Sequence, residues 1–192
     1  MNLFNSDLNY FHESVFNPRE SDLASRELNL ARALKCFNIS APENIIHGMC
    51  IMPASRSYHG NYEGGLLEHS INTMIALCSL TDNLNLEWQN DRSPIVVGLF
   101  HDLCKTDLYE FTDDGIIYAE NAAPGHGDKS VEIAKTFIPD LTEEEELCIR
   151  WHMGAFDDKD KWPEYNAAIA KYPNVLFTHT ADMVASQIFE KE

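Results

Sequence analysis

Basic residues are scarce in this chain. Only 14 Lys and Arg stand against 31 Asp and Glu among 192 residues, a formal net charge of −17. A protein that tracks a phosphate backbone needs clustered cations. No basic run is present, which argues against long duplex nucleic acid as a partner. A small anionic ligand remains compatible, because bound metal ions would add charge that a residue count omits. Cysteines are few and odd in number (Cys36, Cys50, Cys78, Cys104 and Cys148), with no C-x-x-C pair. That argues against a disulfide framework and a zinc knuckle, and leaves reduced thiols packed in a core. No apolar run reaches the roughly 20 residues of a membrane helix. The first residues, with Asn5, Asp7 and Asn9, lack the positive and apolar stretches of a secretory leader. The expectation is a cytoplasmic protein without a membrane partner.

Hydrophobic residues make up 44 % of the chain and charged residues 23 %, so a sizeable core is available and the chain reads as globular. The length fits one domain, 45–192, preceded by an extension over 1–44 that carries one helix packed on the core. The aromatics Phe4, Tyr10, Phe11 and Phe16 lack periodicity and read as a segment that packs on the core or on a partner. A helix is expected from Ser21 as cap, with Leu23, Leu30, Leu34 and Phe37 on one side. Residues 38–62 are turn-rich and read as loops and short helical pieces. An amphipathic helix over Leu66–Leu80 presents Leu67, Ile71, Met74, Ile75 and Cys78 as one stripe. Pro94 opens a second helix that runs through Ile95–Leu108. A hairpin is expected from Tyr109–Thr112 and Ile116–Tyr118 about Asp113-Asp114-Gly115. Asp128 reads as the cap of a following helix. Thr142 and Glu145 form a capping box for one ending near Met153 and Gly154, and a last helix follows Pro173. The fold class is all-α, a helical bundle with one minor β-hairpin.

Some polar residues do not suit such a core. The segment Ile95-Val96-Val97-Gly98-Leu99-Phe100-His101-Asp102-Leu103-Cys104-Lys105 is apolar nearly all round. On a continuous α-helix Gly98, His101, Asp102 and Lys105 would share about a third of the circumference. A buried Asp is costly unless paired or bound to a metal. His101 and Asp102 offer two ligands to one cation, Lys105 can meet a substrate oxygen, and Gly98 leaves room beside them. The plainer account is an Asp102–Lys105 ion pair beside a satisfied core His. His69 falls off the apolar stripe of its helix, where a surface His is the ordinary reading. His126, between two glycines, suits an exposed ligand on a loop. His152 near a helix end can simply complement the dipole, and Asp182 shares a helix face with Val175, His179 and Ser186.

Taken together, these residues resemble the HD superfamily of metal-dependent phosphohydrolases, whose pattern is a His, an adjacent His-Asp and a distant Asp on separate helices. Gly64-Gly65-Leu66-Leu67-Glu68-His69-Ser70 is similar to the first block. Leu99-Phe100-His101-Asp102-Leu103-Cys104-Lys105 is similar to the second, and Thr180-Ala181-Asp182-Met183-Val184-Ala185 to the last. Cys104 departs from the pattern, standing where glycine is common, and is expected to remove no ligand. Ser57-Tyr58-His59, the first block, the hairpin and Gly125-His126 also resemble, in order, the HD domains of OB-fold-containing 3′→5′ exoribonucleases. No room for that OB-fold precedes residue 45. The resemblance covers roughly residues 45–190.

That resemblance implies two divalent transition metal ions. His69, His101, Asp102 and Asp182 would hold one, while Asp102 bridges to a second held by His126 and His152. Imidazole and carboxylate donors suit Mn, Fe, Co, Ni or Zn. The implied activity is hydrolysis of a small phosphorylated compound, a nucleotide foremost, by in-line attack of a metal-activated water. Asp102 and Lys105 would be catalytic, with Lys105 stabilising developing phosphoryl charge. Arg56, Tyr58, His59 and Glu68 are candidates for substrate contacts. His179, a turn before Asp182, either orients a ligand or is an ordinary core His. Three other readings stay open: a 3′→5′ exoribonuclease-like phosphodiesterase on short RNA, a di-iron HD oxygenase, and a non-catalytic regulatory module. Substrate specificity is expected from loops around residues 50–62, 109–125 and 154–172.

Overall fold

The computed structural model describes residues 21–120 and 126–191. The N-terminal aromatics and Gly125 lie outside the described residues. Among those described, the elements are α1 (Leu23–Cys36), α2 (Glu43–Ile51), α3 (Gly65–Leu84), α4 (Ser93–Phe100), β1 (Tyr109–Thr112), β2 (Gly115–Tyr118), α5 (His126–Lys135), α6 (Glu143–Arg150), α7 (Trp162–Lys171) and α8 (Asn174–Val184). Short 3-10 turns and a terminal π turn (Ala185–Phe189) complete the order. The fold is all-α with one antiparallel hairpin, as its sequence pattern implies. No helix among the described residues is long and apolar enough to cross a membrane. The described residues divide into two compact units, one of residues 21–69 and 105–120, the other of 70–104 and 126–191.

In the first unit, α1 packs on α2, burying Leu30, Ala33 and Leu34 on one helix and Ile45, Ile46 and Met49 on the other. The cap of α1 is Asp22, whose carboxylate accepts the Ser25 N–H at 3.0 Å. Ser21, the cap expected from the sequence, instead offers its carbonyl to Arg26 Nε at 3.1 Å. Asp takes the place because it supplies the better-placed acceptor for the orphan N–H groups of the first turn. Arg26 is nearly buried, and its Nη1 donates to the Cys50 carbonyl at 2.7 Å while Nη2 meets Glu63 at 3.2 Å. One guanidinium thus ties α1 to the end of α2 and to the loop before α3. The expected hairpin is present, with Gly115 drawn from the turn into the second strand; Tyr109 lies opposite Tyr118 and Thr112 opposite Gly115.

In the second unit, α6 and α8 pack on each other and each meets α4. Val97, Cys148, Ile149, Val175 and Ala181 are among the residues of the shared core. The capping box of Thr142 and Glu145 is present, but the acidic first turn of α6 does more than cap. Glu144 and Glu145 are buried. Glu144 accepts from Gln89 N–H at 2.8 Å and Asn174 Nδ2 at 2.8 Å, and Glu145 accepts from Ser93 Oγ at 2.9 Å. Two carboxylates therefore fasten the start of α6 to the starts of α4 and α8. Such buried groups are tolerated because each is hydrogen-bonded.

Several expected boundaries are corrected. The helix over Ile95–Leu108 is not continuous: α4 stops at Phe100, His101 and Asp102 form a turn, and Leu103–Asp107 is a 3-10 turn. A helical projection therefore does not reach Lys105. α6 ends at Arg150, three residues before Met153. α5 begins at His126, so Asp128 sits in its first turn instead of capping it and pairs with Arg150 at 2.6 Å. Within the expected loop 154–172, residues Trp162–Lys171 form α7 with Pro163 in its first turn, where proline's missing N–H costs nothing.

The Arg26 tie gives a measurable expectation. Arg26→Ala should lower unfolding stability by about 2 kcal/mol, in the range for charged hydrogen bonds lost from buried acceptors. Arg26→Lys should recover only part of it, since an ammonium cannot span the same acceptors. Urea midpoints for the two variants check this.

Candidate metal centre

The expected ligands fall unevenly between the units. His69 is the last residue of the first segment of one unit, and His101, Asp102, His126, His152 and Asp182 belong to the other. His101 and Asp102 follow the last turn of α4, His152 follows that of α6, Asp182 lies on α8, and His126 opens α5. His101, Asp102 and His152 are buried, and Asp182 is half-buried.

Asp102 presents one oxygen to each imidazole. Its Oδ2 lies 3.4 Å from His101 Nε2 and its Oδ1 3.4 Å from His152 Nε2. The two rings stand edge to face with centroids 5.0 Å apart. The other nitrogen of each ring is committed to the main chain: His101 Nδ1 lies 2.9 Å from the Gly98 carbonyl, and His152 Nδ1 2.7 Å from that of Ile149. A carbonyl only accepts, so both Nδ1 atoms carry hydrogen. In the neutral rings both Nε2 atoms then present lone pairs. In this buried space lone pairs then face a carboxylate, a repulsion that a proton or a metal ion between them would relieve. Among the described residues nothing hydrogen-bonds His152 Nε2; at 3.4 Å its relation to Asp102 is a charge contact longer than a good hydrogen bond.

The same conflict appears in the titration of His152. Burial works to lower its pKa, but the Asp102 carboxylate, and then the charge of Asp182, outweigh it and hold the pKa above the ordinary His value. A proton is drawn into the space where a metal ion would sit. A ligand nitrogen of His101 and a carboxylate oxygen of Asp182 also lie within 4.8 Å of each other. Asp102, Cys104 and His126 likewise each offer a ligand atom, all mutually within 4.8 Å. The residues fit a cation through the chemistry of this donor set: imidazole nitrogens with fixed tautomers around buried carboxylate.

The backbone explains the placement. A Cβ on Gly98 would lie 2.4 Å from the Met74 Cα, so this glycine allows α4 to lie directly on α3. That corrects the expectation that it leaves room beside His101 and Asp102. A Cβ on Gly127 would lie 1.8 Å from the Arg150 carbonyl oxygen, so the glycine after His126 serves close packing of α5 on the end of α6. Gly154, at φ +55°, closes the turn after His152, and its Cα faces the His179 ring, 2.6 Å from where a Cβ would be. His179 Nδ1 donates to the His152 carbonyl at 2.8 Å. His179 therefore holds the main chain of a candidate ligand.

The remaining candidates lie elsewhere. His69 is buried, contrary to the surface position its place off the stripe implies, because α3 is covered on nearly every side from Gly64 to Cys78. Its ring lies 4.7 Å from that of His59. Tyr58 is 82 % exposed, its N–H donating to Ser55 Oγ at 2.8 Å. Arg56 lies over the Tyr118 ring at 5.5 Å, Glu68 accepts from the Tyr62 hydroxyl at 2.7 Å, and Lys105 is half-buried in the 3-10 turn. All of these belong to the unit that holds His69. A cleft of 420 Å³ opens beside His126, bounded by Asp128, Arg150, Phe156, Asp157 and Lys161 among others. Sequence reasoning missed both this cleft and Cys104 as a neighbour of Asp102; the position of Cys104 two residues after the His-Asp pair is the signal that was there. Comparison with family models, with curated proteins and with solved structures gave no match.

A pH test follows for the metal-free protein. The folded-state pKa of His152 is raised, so its stabilising contribution is full below the unfolded value near 6.5 and is lost as pH rises through the folded value. Asp102→Asn removes the leading upward influence. The imidazole titration of His152, followed by NMR, should move down in that variant. Its unfolding stability should lose the corresponding decline above pH 6.5.

Proposed function

We propose that this chain is an HD-type metal-dependent phosphohydrolase that hydrolyses a small phosphorylated compound, foremost a nucleotide. The observation that carries the reading is the Asp102 carboxylate held between two imidazoles whose Nε2 lone pairs are directed at it. A cation would relieve such a set, and it includes the adjacent His-Asp pair for which the sequence resembles that superfamily. The same resemblance assigns His69 to the ion of His101, Asp102 and Asp182, and His126 with His152 to a second.

Bound there, divalent ions would lower the pKa of a water and offset charge on phosphoryl oxygens. The protein's own part is orientation. The Gly98 and Ile149 carbonyls fix the tautomers of His101 and His152, and His179 secures the main chain beneath His152. Asp102 supplies the shared carboxylate. Lys105 is assigned the phosphoryl oxygen, where a fixed ammonium opposes negative charge as it develops. Arg56, Tyr58, His59 and Glu68 remain the candidates to receive the rest of the substrate. The net charge of −17 and the absence of a basic run favour a small substrate over a long nucleic acid.

The test is phosphate or monoester release from nucleoside mono- and triphosphates, cyclic nucleotides and a short RNA, with manganese present. Activity on a small nucleotide should fall more than about 100-fold in Asp102→Ala, beyond what loss of an outer partner of a ligand costs. Activity confined to RNA would transfer the assignment to an exoribonuclease. Silence on every substrate, with two irons bound and oxygen consumed, would transfer it to an oxygenase. His179→Ala should weaken metal binding by roughly 10–100-fold while leaving the donor set complete, which metal titration of the stripped protein reads directly.

A further inference from the structure

We propose that Cys104 is itself a metal ligand: its thiolate joins Asp102 and His126 around one ion and makes that position select borderline-soft cations of the zinc class over hard ions such as magnesium. The inference rests on the metal-dependent reading above and adds a donor that the superfamily resemblance does not assign.

Three ligand atoms of different kinds meet here. The Cys104 sulfur, an Asp102 carboxylate oxygen and a His126 ring nitrogen all lie within 4.8 Å of one another, and the sulfur is 3.4 Å from His126 Nδ1. Among the described residues no other cysteine shares a group of this kind. Cys104 is 3 % exposed whereas His126 is exposed, so the thiol forms the floor and the imidazole the rim. The arrangement is built by the chain. The buried Ser130 hydroxyl accepts the Cys104 N–H at 3.1 Å, and Ser130 lies on α5, the helix that begins with His126. One helix therefore registers both residues. The 3-10 turn of Leu103–Asp107 brings Cys104 there; a continued α-helix would carry it elsewhere.

A second observation points to an ion beside this cluster. His152 Nε2, in a side chain 1 % exposed, is aimed at Asp102 Oδ1 and has no hydrogen-bond partner among the described residues. Asp102 is thus faced by the His101 and His152 nitrogens and also has the Cys104 sulfur and a His126 nitrogen within 4.8 Å of a carboxylate oxygen. The chemistry balances simply. As the sulfur–metal bond forms, the thiol S–H bond breaks and its proton passes to solvent, with no change in oxidation state. Thiolate among the donors favours zinc, cobalt or iron, whereas all-oxygen sets suit magnesium and calcium. Cys50 and Cys78, whose thiols burial pushes up to about 12, are not placed for this work.

The experiment is a cobalt(II) titration of the full chain, stripped of metal and kept reduced, read by absorption. The wild type and a Cys36→Ser control should show a near-ultraviolet sulfur-to-cobalt charge-transfer band. Cys104→Ser and Cys104→Gly should lose that band and should lose preference for zinc over magnesium. Because a buried substitution can impair folding, X-ray absorption on the zinc-loaded wild type supplies a second readout, a sulfur scatterer at about 2.3 Å. Cobalt bound by the wild type without the band, or a band that survives in Cys104→Gly, would overturn the inference and leave the hydrolase reading standing. Failure of the wild type to bind any metal would overturn both.

Discussion

The structure of the site depends on one constraint: a buried carboxylate, Asp102, lies between two imidazoles that have already given their hydrogens to main-chain carbonyls. The device is the same on both sides. A helix leaves its last four carbonyls without intrahelical partners. His101 follows the end of α4 and donates to Gly98, three residues back; His152 follows the end of α6 and donates to Ile149, three residues back. Early termination of these two helices is therefore what creates the site. Each end supplies the acceptor that fixes a tautomer, and each directs the negative end of its dipole toward the place a cation would occupy.

Holding two helix ends in register requires fastening their other ends. Glu144 and Glu145 do this at the start of α6, through Asn174 at the start of α8, Ser93 at the start of α4 and the Gln89 N–H before it. The acidic first turn thus has two functions. It complements the helix dipole at its N-terminus, and it fixes the helix whose far end positions His152. His179 then links α8 to the main chain of His152, so α8 carries both a candidate ligand, Asp182, and the support of another.

Fold class was legible because the apolar spacing of Leu67, Ile71, Met74 and Cys78 is helical, and because the Asp-Asp-Gly turn between two β-prone runs has few alternatives. The capping box at Thr142 was legible for the same reason: its hydrogen bonds are local. What was not legible is set by tertiary contacts. Gly98 is the weakest helix former between Ile95 and Leu108, yet α4 runs through it and stops at Phe100, and the turn beyond delivers Cys104 to His126. His69 looks exposed on a helical projection that assumes one buried face, whereas α3 is covered almost all round. Gly98 reads as an opening and, like Gly127, proves to be a point of close packing. The residue types at the site could be chosen from the sequence; the bend that adds a thiol to them could not.

Charge then decides what the cleft beside His126 can accept. Its two cations, Arg150 and Lys161, are matched by Asp128 at 2.6 Å and Asp157 at 3.8 Å, and Asp158 and Glu164 add further negative charge to the lining. An approaching phosphate would therefore meet a net negative wall in a protein that already carries −17. Steering of an anion to such a surface needs a local positive potential. On the proposed reading, cations held at Asp102 would be that means, each divalent ion offsetting two carboxylates. On the same reading, the scarcity of basic residues and the crowding of imidazole and carboxylate donors go together: attraction for an anionic substrate would be conferred by the bound ion and lost with it.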